Sequence, residues 1–169
     1  MKHKLLIVLL SSLFLSTTVS AAEKKPKNLM GIPYDEELYC VAETIYHEAR
    51  NQNMLGQIAV AIVIKNRMKD KRWPSTACEV VRQGHYWNSK PLRDQCQFSY
   101  WCDGKPEFVT DHKAFQKAFH LAKLVLKNEV LIIGLEKITH YHTRKVSPKW
   151  AHKFKPRASI GLHIFYQSD

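Results

Sequence analysis

The stretch "GQIAVAIVIKNRM" (Gly56 to Met68) is apolar nearly all round. A helix with no polar face has no side to offer to water, so other elements must enclose it. Its branched residues would also suit a strand, but its length and its alanines favour a buried central helix. The chain must therefore supply neighbours that pack around this segment.

The segment before it reads as a second helix. Asp35 can cap it, with Glu36 and Glu37 in the first turn, where the helix dipole favours negative charge. Leu38, Ala42, Ile45 and Ala49 follow at helical spacing and define a buried stripe. At about 100° per residue, Glu48 falls beside Val41 on the edge of that stripe. Glu43, His47 and Arg50 are expected on the opposite, wet side. Asn51 tolerates the left-handed conformation of a C-terminal cap and is expected to end the helix.

Beyond the central helix, "RWP" breaks the chain and Thr76 to Glu79 forms a capping box leading into "VVRQ". The run "GHYWNSKPLRDQCQFSYWCDGKPE" has little periodicity and is dense in aromatic and polar groups, so it reads as a long surface segment. A further helix is predicted from about Asp111 to Asn128, with Phe115, Ala118, Ala122 and Val125 facing inward. "KITHYH" and "SIGLHIFY" have the branched and aromatic content of strands. Helices first and a small sheet late indicate an α+β domain.

The N-terminus carries an export signature. "MKHK" is a basic lead, "LLIVLLSSLFLS" is an apolar run too short to span a bilayer comfortably, and small residues around Ala21 and Ala22 suit signal peptidase. Residues 1–22 are read as a signal peptide, 23–33 as a flexible lead-in and 34–169 as one domain. The mature part, roughly 150 residues, is long enough for a respectable core. Cys40, Cys78, Cys96 and Cys102 are an even set, which in an oxidising compartment suggests disulfides. Spacing favours Cys96–Cys102 as a local clasp and leaves Cys40–Cys78 between two helices. A zinc site is the rival, but no pair has the tight spacing of a zinc knuckle.

The formal net charge is +11, and Arg144, Lys145, Lys149, Lys153, Lys155 and Arg157 crowd one segment that has no acid between Glu136 and Asp169. A basic field concentrates anionic partners. Nucleic acid would suit the charge, but for an exported chain the expected polyanion is the cell wall, whose stem peptides carry carboxylates.

A carboxyl bordering apolar surface loses hydration and holds its proton to higher pH, which a general acid requires. Glu48 meets that description, although an ordinary helix glutamate would occupy the same position. His140 and His142 lie on one face of a strand and His163 could join them as a zinc set, but no compact zinc motif is present. Ser99 lacks the surroundings of a nucleophile elbow, and disulfide pairing would remove every thiol nucleophile. Tyr46, Tyr86, Trp87, Tyr100, Trp101, Tyr141 and Trp150 are more aromatics than a core usually needs, and flat rings with polar tips suit sugar faces.

"TIYHEAR", "GQIAVAIVIKNR", "PSTACEVV", "QCQFSYWCDGKPE", "THYHTRKVSPKW" and "IGLHIFY", in that order, closely resemble the SleB-type cell-wall hydrolases, which include the catalytic domain of spore cortex-lytic enzymes. The resemblance spans about Leu38 to Tyr166. It implies a lysozyme-like α+β fold of the lytic transglycosylase type, mostly helical with a small sheet. It also implies cleavage of the β-1,4 bond between N-acetylmuramic acid and N-acetylglucosamine, with Glu48 as the catalytic acid. Gln97, Phe98 and Ser99 match the family's Q-F-S block, and His140, Tyr141 and His142 its H-Y-H block. Together with Tyr100 they look like cleft walls. The family often continues E-A-R-G-E, whereas this chain reads "EARNQ". Gln52 thus replaces an acid, and "HYWNSKPLRD" looks longer than in the shortest relatives.

Ordinary glycosidases use two carboxylates. Asp103 is the nearest candidate for a second one here and is expected to form a turn with Gly104 instead. A lytic transglycosylase needs only one, which is the activity expected. No metal or cofactor is expected. The expected partner is the glycan strand of peptidoglycan, with no nucleic acid, no stable membrane insertion after signal removal, a monomeric state, and a location in the periplasm or wall. The alternatives are an N-acetylmuramoyl-L-alanine amidase that recruits zinc through His140, His142 and His163, and a catalytically silent wall-binding protein.

Overall fold

The computed structural model describes residues 35–168; the signal peptide and lead-in expected over 1–33 lie outside the described residues. The first helix, α1 (Glu36–Ala49), is capped by Asp35, whose side chain accepts the Leu38 N–H at 3.2 Å, as the sequence predicts. α2 (Met54–Lys69) is the enclosed helix: residues 56–65 are all buried, and α1, the short α3 (Ala77–Val81) and α4 (His112–Leu126) pack on it. Asn53 caps α2 by accepting the Gly56 N–H at 2.9 Å. Thr76 caps α3, but its hydroxyl donates to the Glu79 carboxylate at 2.7 Å, so the predicted box closes through the two side chains.

The polar end of α2 organises the chain beyond α4. Asn66 donates to the carbonyls of Leu135 and Ile138 at 2.8 Å each, and Arg67 Nε donates to the Thr139 carbonyl at 2.7 Å. Lys65, buried, donates to the Val125 carbonyl at the end of α4. A buried donor without a partner costs about 1–3 kcal/mol, so these bonds fix the path of residues 125–139 relative to the helices. That path delivers the chain to β3 (His140–Thr143), which joins β4 (Lys155–Ile160) and β5 (His163–Gln167) in an antiparallel sheet of order β3-β5-β4. Among the described residues, no helix is long and apolar enough to cross a membrane.

Both disulfides join the pairs that spacing favoured: Cys40–Cys78 ties α1 to α3, and Cys96–Cys102 closes a loop across a sequence separation of 6.

Four expectations are corrected. The aperiodic segment after α3 contains a hairpin, β1 (Gly84–Trp87) with β2 (Lys90–Cys96), followed by a 3-10 turn at Ser99–Cys102. Its two-residue turn, Asn88 and Ser89, has positive φ at both positions (46° and 61°), the geometry that suits a tight hairpin. The hairpin is solvated on both faces, so no alternation of apolar residues announces it. Gly84 is required at its base, because a Cβ there would lie 2.9 Å from Cys96 Cα.

Asn51 does not adopt the left-handed cap: α1 ends on Arg50 in a right-handed conformation, and Asn51 is not among the positive-φ residues. Glu43 is not on a wet face. It is 9 % exposed, because the 3-10 turn covers the side of α1 that a two-layer reading leaves open. Finally, "SIGLHIFY" is not one strand but the end of β4, a turn at Gly161, and β5. Gln52 holds that turn by accepting the Leu162 N–H at 2.9 Å.

Candidate active site

Glu48 sits in the last turn of α1, on the edge of its apolar stripe, and is half-buried. Two segments distant in sequence close over it. Tyr141, from β3, donates its hydroxyl to Oε2 at 3.2 Å. Ser99 Oγ donates to Oε1 at 3.5 Å, and the backbone at Ser99 and Tyr100 also bonds the carboxylate. Residues 97–100 are presented by the Cys96–Cys102 clasp and by the hydrogen bond from the Gln97 N–H to the Gln83 carbonyl at 2.8 Å. β3 reaches the site because Arg67 fixes the residue before it.

Burial pushes the Glu48 carboxyl above its ordinary range, against the opposing pull of the Tyr141 hydroxyl and of the groups at 99 and 100. Tyr141 is held well above the usual range of a phenol, mainly by burial and then by the Glu48 charge, so it keeps its proton and stays a donor. The resulting carboxyl can hold a proton in a poorly hydrated place and is steadied when it gives that proton up. All its partners are neutral groups.

The other expected cleft residues separate into different places. Phe98 is 2 % exposed and packs beneath Tyr141 (6.4 Å between rings) and the Arg67 guanidinium (5.3 Å), so it supports the site from the core and is not a substrate contact. Gln97 is exposed. Tyr100 is buried: its hydroxyl bonds Thr44 Oγ1 at 3.0 Å and its ring stacks on His47 at 4.7 Å.

His140 and His142 do not face Glu48. They project from the opposite side of β3 to Tyr141, among Trp150, Phe154 and Tyr166. The His140 ring bonds Thr139 Oγ1 at 3.0 Å, and burial lowers its pKa to about 4. His142 Nδ1 donates to the Thr143 carbonyl at 2.8 Å, which leaves Nε2 to accept from the Tyr166 hydroxyl at 2.9 Å. His163 pairs in register with Thr143 and lies against Tyr141, 5.0 Å between rings. The three histidines suggested as a zinc set are thus divided between the two faces of one sheet. Among the described residues, no group of three or more His, Cys, Asp or Glu side chains is placed to hold a metal ion. Asp103 forms the expected turn, accepting the Lys105 N–H at 2.8 Å over Gly104, whose φ is 81°.

Three contributors were not legible as site residues: Arg67, and Thr44 and Glu43, whose side chains bond Tyr100. For Arg67 the available signal was a charged side chain interrupting a run too apolar to have a wet face. For the other two the signal was absent, since the turn that covers them is itself aperiodic.

The family model described as Cell Wall Hydrolase matches residues 51–166. The chain belongs to the cell wall hydrolase family. The matched stretch begins just after Glu48 and takes in residues 97–100, β3 and β5. As a cell wall hydrolase it is a peptidoglycan-cleaving enzyme. Its fold is similar to the catalytic domain of the germination-specific lytic transglycosylase SleB from Bacillus anthracis, with TM-score 0.56 and 24% identity over 79% of this chain and 97% of that one. It is also similar to the catalytic domain of the Bacillus cereus SleB protein, with TM-score 0.55 and 22% identity over 88% of this chain and 99% of that one. These likenesses are of fold, and they agree with the expected lysozyme-like α+β architecture. None of the curated proteins matches the sequence significantly.

Proposed function

We propose that this cell wall hydrolase is an exported lytic transglycosylase that cuts the β-1,4 bond between N-acetylmuramic acid and N-acetylglucosamine. The observation that carries the reading is the environment of Glu48: a desolvated carboxyl with raised proton affinity whose partners are Tyr141, Ser99 and backbone groups. A retaining or inverting glycosidase would need a second carboxylate across the bond. The nearest sequence candidate for that role, Asp103, is engaged in its turn with Lys105.

The mechanism needs one acid. Protonated Glu48 donates to the glycosidic oxygen as the C1–O bond breaks. The substrate's own N-acetyl group stabilises the positive charge that develops at C1. Glu48, now a carboxylate steadied by the Tyr141 hydroxyl, takes the proton of the muramic acid C6 hydroxyl. The C6 oxygen bonds C1 and closes a 1,6-anhydro ring. Glu48 is then protonated again and ready for the next cycle.

In this reading, residues 1–22 direct export, 23–33 are a lead-in and 34–169 are the catalytic domain. The two disulfides and the basic surface suit a periplasmic or wall location. The partner is the glycan strand, approached by a monomer. Digestion of purified peptidoglycan followed by mass analysis tests the proposal: anhydro-muropeptides are expected. Free stem peptides would mean amidase action, and reducing ends without anhydro sugar would mean hydrolysis; either overturns it.

A further inference from the structure

Near the proposed catalytic carboxyl lies a concavity that the cutting step does not use. It has a volume of 290 Å³, and Tyr100 forms one of its walls. The same residue's backbone bonds Glu48, so Tyr100 touches both places. The pocket lies against the last turn of α1, where His47 and Arg50 line it. The segment after the Cys96–Cys102 clasp supplies Asp103, Lys105, Glu107 and Phe108.

Two of its four charges are left without an ion pair. Asp103 and Lys105 pair with each other at 3.5 Å. No ion pair among the described residues takes up Arg50 or Glu107. Arg50 rests over the Tyr46 ring at 4.8 Å, which aims the guanidinium without neutralising it. Burial lowers the His47 pKa, and its ring is held by the Glu107 backbone, while Nε2 remains a buried nitrogen without a partner. Phe108 stands at the rim, 73 % exposed. The pocket therefore offers a planar cation, an anion, an unused ring nitrogen and one apolar edge.

On a peptide-bearing strand the lactyl carboxyl of muramic acid is taken up in the amide to the peptide, so the sugars themselves carry no charge and cannot account for an unpaired cation and anion in one small pocket. The peptide borne by muramic acid carries both carboxylates and an amine. A bidentate guanidinium suits a carboxylate, and Glu107 suits an ammonium. We propose that this pocket holds the stem peptide on the glycan being cut, gripping a carboxylate with Arg50 and an ammonium with Glu107. The proposal rests on the glycosidic reading above for its substrate. Its consequence is a preference for peptide-bearing over peptide-free strands.

Two measurements test it. The first compares kcat/KM of the full chain on peptide-bearing glycan and on the same glycan stripped by an amidase. The ratio between substrates is expected to fall roughly tenfold in Arg50→Gln and in Glu107→Gln, the loss that one charged hydrogen bond implies. A ratio that neither substitution changes overturns the proposal. The second titrates the Glu48→Gln protein with the tripeptide L-Ala-γ-D-Glu-meso-diaminopimelate. Saturable binding that Arg50→Gln weakens roughly tenfold is expected, and absence of binding overturns it. Should the unaltered protein release no sugar fragments from either strand, the glycosidic reading fails, and the titration, which requires no cleavage, decides the pocket alone.

Discussion

The hydroxyl of Tyr141 donates a 3.2 Å hydrogen bond to Oε2 of Glu48 across 93 residues of sequence. This bond joins the helical and sheet parts of the domain at the proposed catalytic carboxyl. It also sets the direction in which the acid is tuned: burial raises the proton affinity of Glu48 and the phenol holds it down. Removing the phenol in Tyr141→Phe should raise the Glu48 pKa further and leave its ionised form less supported. The alkaline limb of the pH–activity profile is then expected to move to higher pH, while kcat falls roughly tenfold for the loss of a charge-assisted bond. A profile of rate against pH on purified peptidoglycan checks both.

The two disulfides should separate stability from activity. Cys40–Cys78 spans a sequence separation of 38 and Cys96–Cys102 only 6. Loop-closure entropy assigns about 4 kcal/mol to the first and about 2 kcal/mol to the second. The double substitution of Cys40 and Cys78 by serine is expected to be the more destabilising in urea. The Cys96 and Cys102 double substitution should cost less stability but more activity, because the loop it releases is the one that bonds Glu48.

Arg67 is 4 % exposed, and burial lowers its pKa to about 10, which still leaves it charged at neutral pH. Its guanidinium lies 4.3 Å from the Trp73 ring, and its Nε holds the Thr139 carbonyl. Lysine lacks the planar fork and the stacking surface, so Arg67→Lys should destabilise the fold by about 2–3 kcal/mol. Denaturant unfolding is the check, and a neutral result would mean that the path into β3 is set by other contacts.

Glu43 predicts a pH-dependent stability. Its carboxyl is raised from 4.5 to about 7 by burial first and by the charge of Glu107 second. The folded state therefore binds more protons than the unfolded chain between those values. The stability this gives is full below 4.5, is lost as pH rises through 7, and is level above. Glu43→Gln should remove this dependence. It is expected to raise the stability at alkaline pH by about 1 kcal/mol once solvent screening is allowed for, read as a higher unfolding temperature, and to change little in acid.

The elements that bury an apolar stripe were legible in the sequence: the caps at Asp35 and Thr76, the enclosed helix, and the inward residues of α4. So was Glu48, because an acid at the border of a stripe is displaced from bulk water wherever the stripe is covered. What escaped was set by pairing between segments that carry no period. The hairpin at Gly84–Cys96 is solvated on both faces, so nothing alternates. The burial of Glu43 depends on a short turn folding back across α1. The division of the H-Y-H block was readable from strand alternation, which places Tyr141 opposite both histidines. Which face meets Glu48 was decided by the sheet register, with His163 opposite Thr143.

The most direct test of the account is the mass of the fragments released from purified peptidoglycan by the unaltered protein and by Glu48→Gln. One acid acting in turn as donor and acceptor predicts anhydro-muropeptides from the first and none from the second, with both proteins equally folded by circular dichroism. Anhydro-muropeptides released at the native rate by the folded Glu48→Gln protein would contradict it.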